Sequence, residues 1–209
     1  SGDGGDEVFA GYNKHAAVWR MRQGGMLNTL VKAGMPFWKV LPKSRNNKLT
    51  NKFRQLQRFA EGANLNAAER YWRWASFQTP QESMALFHPK VKQQISASTL
   101  NNIQNAFTAN IEGRDFNEVL LADMNLVLLS DMLVKVDLMS MANSLEVRSP
   151  FLDKNVVDFA FGLPADYKID GRMKKPIVQD AFRSYLPEEI YNRPKHGFEI
   201  PLLDWFRKE

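Results

Sequence analysis

The chain opens on Ser1-Gly2-Asp3-Gly4-Gly5-Asp6-Glu7, three glycines interleaved with three carboxylates and followed at once by the apolar residues Val8 and Phe9. Glycine lets a backbone take positive φ and turn its N–H groups toward a ligand, and N–H groups at a helix start attract anions. Carboxylates on such a loop are what a Mg²⁺-phosphate ligand needs. Read alone, the same residues also fit a flexible, solvated tail. Three further stretches carry candidate chemistry: Asp131, Lys135 and Asp137 among apolar residues, Lys174-Lys175 before a proline, and the basic run Arg193-Pro194-Lys195-His196-Gly197. Asp131 and Lys135 are four apart, a spacing that places both on one helix face as an ion pair.

Several other chemistries are excluded. His15, His88 and His196 are isolated and the chain has no cysteine, so HExxH, CxxC and thiol nucleophiles are absent. An EF-hand fails because no Glu follows Asp3 or Asp6 at the required position, and neither a Walker A motif nor GxGxxG occurs. With 209 residues, 44% of them apolar, the chain can bury a core; 28 Lys+Arg against 23 Asp+Glu leaves a net charge of +5, which favours anionic partners without choosing among them. No run reaches the roughly 18 apolar residues of a membrane span and no secretion signal stands at the start, so a cytoplasmic protein is expected.

The elements that position these residues read as helices. Val8, Phe9, Tyr12, Ala16 and Trp19 predict one amphipathic helix ending near Gly24-Gly25, with Asp6 or a neighbour as its cap. Met26 to Leu41 reads as two pieces broken around Pro36, and Leu49 to Phe59 as another helix with the basic flank Lys48, Lys52, Arg54 and Arg58. Asn66 with Glu69, and Thr79-Pro80-Gln81-Glu82, are capping-box starts. Between Pro89 and Gly113 one or two helices are expected. Asp115 caps a largely buried helix through Leu129, Ser130 to Asn143 forms the next, and Asp153 caps one to about Phe161. Helices then follow from Lys175-Pro176 and from Pro201. Strands are nearly absent, with short extended pieces expected only near Glu146–Arg148, Tyr167–Ile169 and the N-terminal edge.

Five stretches in order resemble signatures of the glutamine-hydrolysing asparagine synthetase family: Ser1 to Tyr12; Leu133-Val134-Lys135-Val136-Asp137 with Met139 to Ala142; Leu145 to Asp153; Lys175-Pro176-Ile177-Val178; and Arg193 to Phe198 with Pro201-Leu202 and Trp205. The resemblance implies a mainly α chain, the helical C-terminal part (1–209) of an α/β adenine-nucleotide-hydrolase-like ATP pyrophosphatase domain. Its parallel sheet, its pyrophosphate loop and a glutaminase domain are expected to lie outside this sequence.

The implied activity is ATP-dependent amidation of aspartate to asparagine through a β-aspartyl-AMP intermediate, with ammonia from glutamine and with this chain alone inactive. ATP and Mg²⁺ are implied, Asp6 as metal ligand, and Asp3, Lys175 and Asp131 as catalytic. Ser1, Gly2, Gly4, Gly5, Glu7, Lys174 and Lys195 are implied to bind ATP or substrate. Lys195 and His196 are expected to close over the site. Glu146 and Arg148 read as an architectural pair, and Leu138 stands where many members carry arginine. Implied partners are the small-molecule substrates, the protein's own glutaminase domain and a possible second copy, with no nucleic acid and no membrane. Two other readings remain open: an amidotransferase acting on a different carboxylate, in cell-surface polysaccharide or natural-product synthesis, and a basic helical module that binds nucleic acid.

Overall fold

A computed structural model describes residues 1–44, 47–171, 173–191 and 202–208. Among these the chain is helical without strands; its one ladder-like contact is an isolated antiparallel bridge between Ile169 and Lys174. The mainly α expectation holds. The expected loop from Asn192 to Phe198 and the expected helix start at Pro201 lie outside the described residues. Two compact units are formed, residues 1–176 and 177–209.

The first unit begins with a departure from the predicted single helix. A four-residue helix α1 (Gly5–Val8) is followed by α2 (Asn13–Gln23). Ala10 takes the left-handed conformation at φ 61°, and Gly11 N–H reaches back to Asp6 O at 2.8 Å, the six-to-one bond that closes a Schellman-type helix end. A continuous apolar pattern is therefore cut by a turn that carries alanine where glycine is usual. Asp6 sits inside α1 and does not cap it; the cap position is Gly4, at φ 86°.

Other starts follow the sequence closely. Helix α3 (Met26–Ala33) and helix α4 (Met35–Val40) break at Gly34 just before Pro36, and α5 (Lys48–Ala63) follows. Both capping boxes form. Glu69 N–H donates to Asn66 Oδ1 at 2.9 Å at the head of α6 (Ala67–Ala75), and Thr79 N–H donates to Glu82 at 2.7 Å at the head of α7 (Pro80–Leu86). Helices α8 (Pro89–Lys92) and α9 (Ala97–Thr108) fill the stretch before Gly113.

A long helical run then crosses the unit: α10 (Asn117–Asp123), a π-helical segment Met124–Met132, and α11 (Leu133–Met141). Two helices were expected here, and the π turn is the surprise. Leu133 N–H bonds Leu128 O, five residues back, so each residue is rotated off the four-residue face. Asp131 and Lys135 accordingly form no ion pair; Lys135 Nζ lies 3.4 Å from Met132 Sδ instead. The expected cap is shifted: Phe116 holds the N-cap position without a side-chain bond, and Asp115, one residue earlier, accepts Asn117 N–H on its Oδ1 at 3.2 Å. Glu118 does more. Its carboxylate accepts N–H groups from Glu112, Gly113, Arg114 and Asp115, which outweigh its partial burial and hold its pKa below the usual range.

The core packs α2 and α6 against this run, with Val18, Tyr71, Trp74, Ile111, Phe116, Val119 and Leu120 buried. Phe59 of α5 stacks on Trp74 at 5.6 Å. Phe77, just past the end of α6, is 85% exposed. A 3₁₀ turn (Pro150–Leu152) leads into α12 (Lys154–Phe161), capped by Asp153 as predicted. Glu146 and Arg148 do pair, yet at 70% and 86% side-chain exposure, so the pair is a surface one and not a buried organiser. No strand forms there. After a second 3₁₀ turn (Ala165–Tyr167), the chain folds back so that Ile169 pairs with Lys174.

Helix α13 (Pro176–Ala181), all but its first residue in the second unit, leads to α14 (Glu188–Tyr191), with Tyr191 Oη donating to Phe182 O at 2.6 Å, and α15 (Leu202–Lys208) is helical.

Candidate active site

The opening loop is ordered by the third signature. Val8 is fully buried, and the Phe9 ring meets the edge of Phe151 at 6.0 Å. A Cβ on Gly4 would fall 2.2 Å from Leu152 Cδ2, on a backbone already at φ 86°, so this position needs glycine twice over. The loop turns on Gly5 N–H to Gly2 O, 3.3 Å, and Val8 N–H to Gly4 O, 2.9 Å. With a helix of only four residues behind it, the loop's chief chemical offering is its carboxylates.

Asp6 shows what those carboxylates meet. Its Oδ1 lies 2.7 Å from Lys175 Nζ, and the two side chains are 20% and 32% exposed. Residues 169 apart in sequence thus join the first and fourth signatures. Gly11 makes room for this: a Cβ there would stand 1.9 Å from Asp6 Oδ1. Lys175 is itself in the left-handed region at φ 57°, a conformation unusual for a side-chain-bearing residue and often kept at functional positions. Its N–H donates to Lys168 O at 2.8 Å.

The other candidates are dispersed. Ser1 and Gly2 are exposed, and Asp3, half-buried, accepts from the Ser1 hydroxyl while its N–H donates to Ser1 Oγ at 3.3 Å. Lys174 bonds Asn13 Oδ1 beside Lys175. Glu7 turns inward, 2% exposed, where Tyr12 Oη donates to its Oε1 at 2.6 Å; burial and that carboxylate push the Tyr12 pKa up. Asp131 is exposed on the π segment, and no hydrogen bond or ion pair among the described residues joins it to the loop or to Lys175. Lys195, with His196, lies outside the described residues.

A feature that sequence reading passed over lies behind the loop. Asp123 is fully buried on α10, and three donors converge on it: Lys14 Nζ at 2.6 Å, His15 Nε2 at 2.7 Å and the Tyr71 hydroxyl. Tyr12 N–H donates to His15 Nδ1 at 3.4 Å, which leaves Nε2 as the protonated nitrogen facing the carboxylate. Burial alone would raise the Asp123 pKa; His15 and Lys14 outweigh it and hold it below the ordinary range. One signal was available, an aspartate in the middle of an apolar helix.

The expected basic flank of α5 also changes meaning. Arg58 donates to Arg73 O and Trp74 O, each at 3.3 Å, and to Ser76 O, closing the C-terminus of α6, and Arg54 holds Asn51. These are intramolecular tasks.

No group of three His, Cys, Asp or Glu side chains could cage a metal among the described residues. The donors at the loop are hard carboxylate oxygens, and Mg²⁺ is commonly held by one or two carboxylates with water and substrate phosphates completing its shell. Asp6 beside a lysine fits that mode. A carboxylate and an ammonium side by side and partly exposed suit a ligand with its own negative charges and a bridging cation.

The Asparagine synthase family profile matches residues 1–209, the whole chain. Among similar proteins, asparagine synthetase [glutamine-hydrolyzing] 1 of Bacillus subtilis is 29% identical over 216 residues, covering 100% of this chain and 31% of its own length. A putative asparagine synthetase of Mycobacterium bovis is 44% identical over 77 residues (37% of this chain, 12% of that protein), and a probable one of Acanthamoeba polyphaga mimivirus 44% over 72 residues (31% and 13%). The chain spans less than a third of the length of these relatives. No solved structure matches it significantly. The chain belongs to the asparagine synthase family.

Proposed function

We propose that the chain forms part of an ATP-dependent carbon–nitrogen ligase that converts aspartate to asparagine. The observation that carries this reading is the Asp6–Lys175 pair at 2.7 Å, which brings two separated signatures into contact. In the first step a side-chain carboxylate oxygen attacks the α-phosphorus of ATP, and pyrophosphate leaves. In the second, ammonia attacks the acyl carbon of the adenylate, and AMP leaves. Mg²⁺ would neutralise phosphate charge.

Asp6 would hold that ion, exchanging its contact with Lys175 for it. Freed of Asp6, the ammonium of Lys175 would turn to the phosphates, where charge develops on phosphorus and on the leaving pyrophosphate. Lys174, beside it, would add a second cation. Asp3, on the loop between Gly2 and Gly4, would accept the proton lost by the attacking ammonia, and the glycines let the loop approach the ligand closely. Glu7, held by Tyr12, would act from inside by fixing the loop. Asp131 would line the substrate side and Lys195 would close over it.

Ammonia would come from glutamine through a glutaminase domain of the same protein, and residues 1–209 alone would not catalyse the synthesis. A cytoplasmic location fits this reading. No helix among the described residues is long and apolar enough to cross a membrane.

One residue favours a related reading. Leu138, 57% exposed, stands where many members carry arginine, and an altered pocket would suit a different carboxylate. The test is direct. The purified full-length protein is incubated with ATP, Mg²⁺ and ammonia or glutamine, and pyrophosphate and amide are followed. Asparagine formation supports the proposal; ATP cleavage with another acid and none with aspartate sinks it.

A further inference from the structure

Lysine is almost never fully buried without a specific partner. Lys168 is fully buried, and the proposed chemistry makes no use of it. Its Nζ donates to Asn117 Oδ1 at 2.6 Å and lies 5.0 Å from the centre of the Phe161 ring. The Asn117 amide is fixed in turn, donating to Phe161 O at 3.0 Å and Leu163 O at 3.3 Å. The head of α10, the end of α12 and Lys168 are thereby bolted together. On its other side the Lys168 carbonyl accepts the N–H of Lys175, and one step in, Ile169 pairs with Lys174. The tip is closed by Asp170, whose Oδ1 accepts from Met173 N–H at 2.8 Å.

We infer that Lys168 is a positioning residue for the candidate active site: anchored by Asn117, it fixes the base of the fold-back that pairs Ile169 with Lys174, so that Lys175 is presented to Asp6. The case is geometric. Lys175 holds φ 57°, a conformation that relaxes unless its surroundings over-determine it, and its backbone N–H is held by the Lys168 carbonyl. Burial lowers the Lys168 pKa, with Asp115 opposing, so the amine sits at a desolvation cost that packing alone does not require. A methionine of similar reach would fill the same space.

The inference rests on the proposed role of Lys175, and the experiment separates the two. In the full-length protein, Lys168→Met is compared with Lys175→Met. The expected result for Lys168→Met is a folded protein whose kcat for aspartate-dependent pyrophosphate release falls about tenfold or more, with the aspartate KM within about twofold. Hydrogen exchange at the Lys175 amide should also be about tenfold faster, with exchange along α10 unchanged. A kcat within twofold of wild type, or unchanged exchange at Lys175, overturns the inference. If the wild-type protein does not act on aspartate at all, the functional reading has failed. The inference is then decided by exchange and by Mg-ATP binding, which Lys168→Met should weaken about tenfold and which equal affinity would refute. Should Lys168→Met not fold, Asn117→Ser, which withdraws the acceptor and keeps the lysine, should reproduce the same losses.

Discussion

Replacing Asp123 by asparagine tests the buried cluster behind the loop. Three donors converge on this fully buried carboxylate, from Lys14 and His15 on α2 and Tyr71 on α6. An amide of the same shape offers one acceptor oxygen and a nitrogen that carries its own hydrogens. At least one donor then faces another donor, and the Lys14 ammonium loses its counter-charge in a poorly solvated position. Each hydrogen bond to a charged group contributes roughly 1.5–3 kcal/mol, and removing one partner of a buried pair costs about 3–5 kcal/mol. We expect Asp123→Asn to lose about 3 kcal/mol or more, read from urea unfolding followed by tryptophan fluorescence. Acid dependence provides a second readout. Because the folded-state pKa lies below the unfolded one, the stabilisation is complete above about pH 4 and is lost as the pH falls through the folded value. The asparagine variant should lack this limb. A loss under about 1 kcal/mol, with an unchanged acid limb, would refute the reasoning.

Two further outcomes follow from the geometry. Gly11→Ala would drive a methyl group to within 1.9 Å of Asp6 Oδ1, so the carboxylate must leave Lys175; the expected effect is an apparent Mg²⁺ requirement raised about tenfold in the full-length enzyme, and an unchanged requirement counts against the pair. Lys168, its pKa lowered by burial to about 8, is neutral in the folded chain while still charged in the unfolded one between about pH 8 and 10; stability should rise with pH there, by roughly 1 kcal/mol per unit near pH 9, and Lys168→Met should flatten that slope.

Local signals were legible in the sequence because their partners are close in the chain. Asn66 with Glu69, Thr79 with Glu82 and Asp153 with Asn155 each settle a helix start within three residues. The turn after α1 was not legible, since Ala10 adopts a conformation that composition assigns to glycine and the apolar pattern runs straight through it. The π segment carries no local signature either, and it dissolved the expected Asp131–Lys135 pair. Asp6 and Lys175 were picked out singly through resemblance, but nothing across a separation of 169 positions announces that they touch. His15 and Asp123, 108 apart, and the buried Lys168 escaped notice because long-range packing makes them meaningful. Glu146 and Arg148 show the reverse, a pair legible in sequence whose exposure only the fold reveals.

The central claim is that Asp6 and Lys175 serve one nucleotide-activating site, and single-turnover pyrophosphate release by the full-length enzyme tests it most directly. With saturating ATP, Mg²⁺ and aspartate, Asp6→Asn and Lys175→Met should each slow release by about 10²-fold or more, and the double variant should be little worse than either, as expected of groups acting as a unit. Release by Lys175→Met at more than half the wild-type rate would contradict the account.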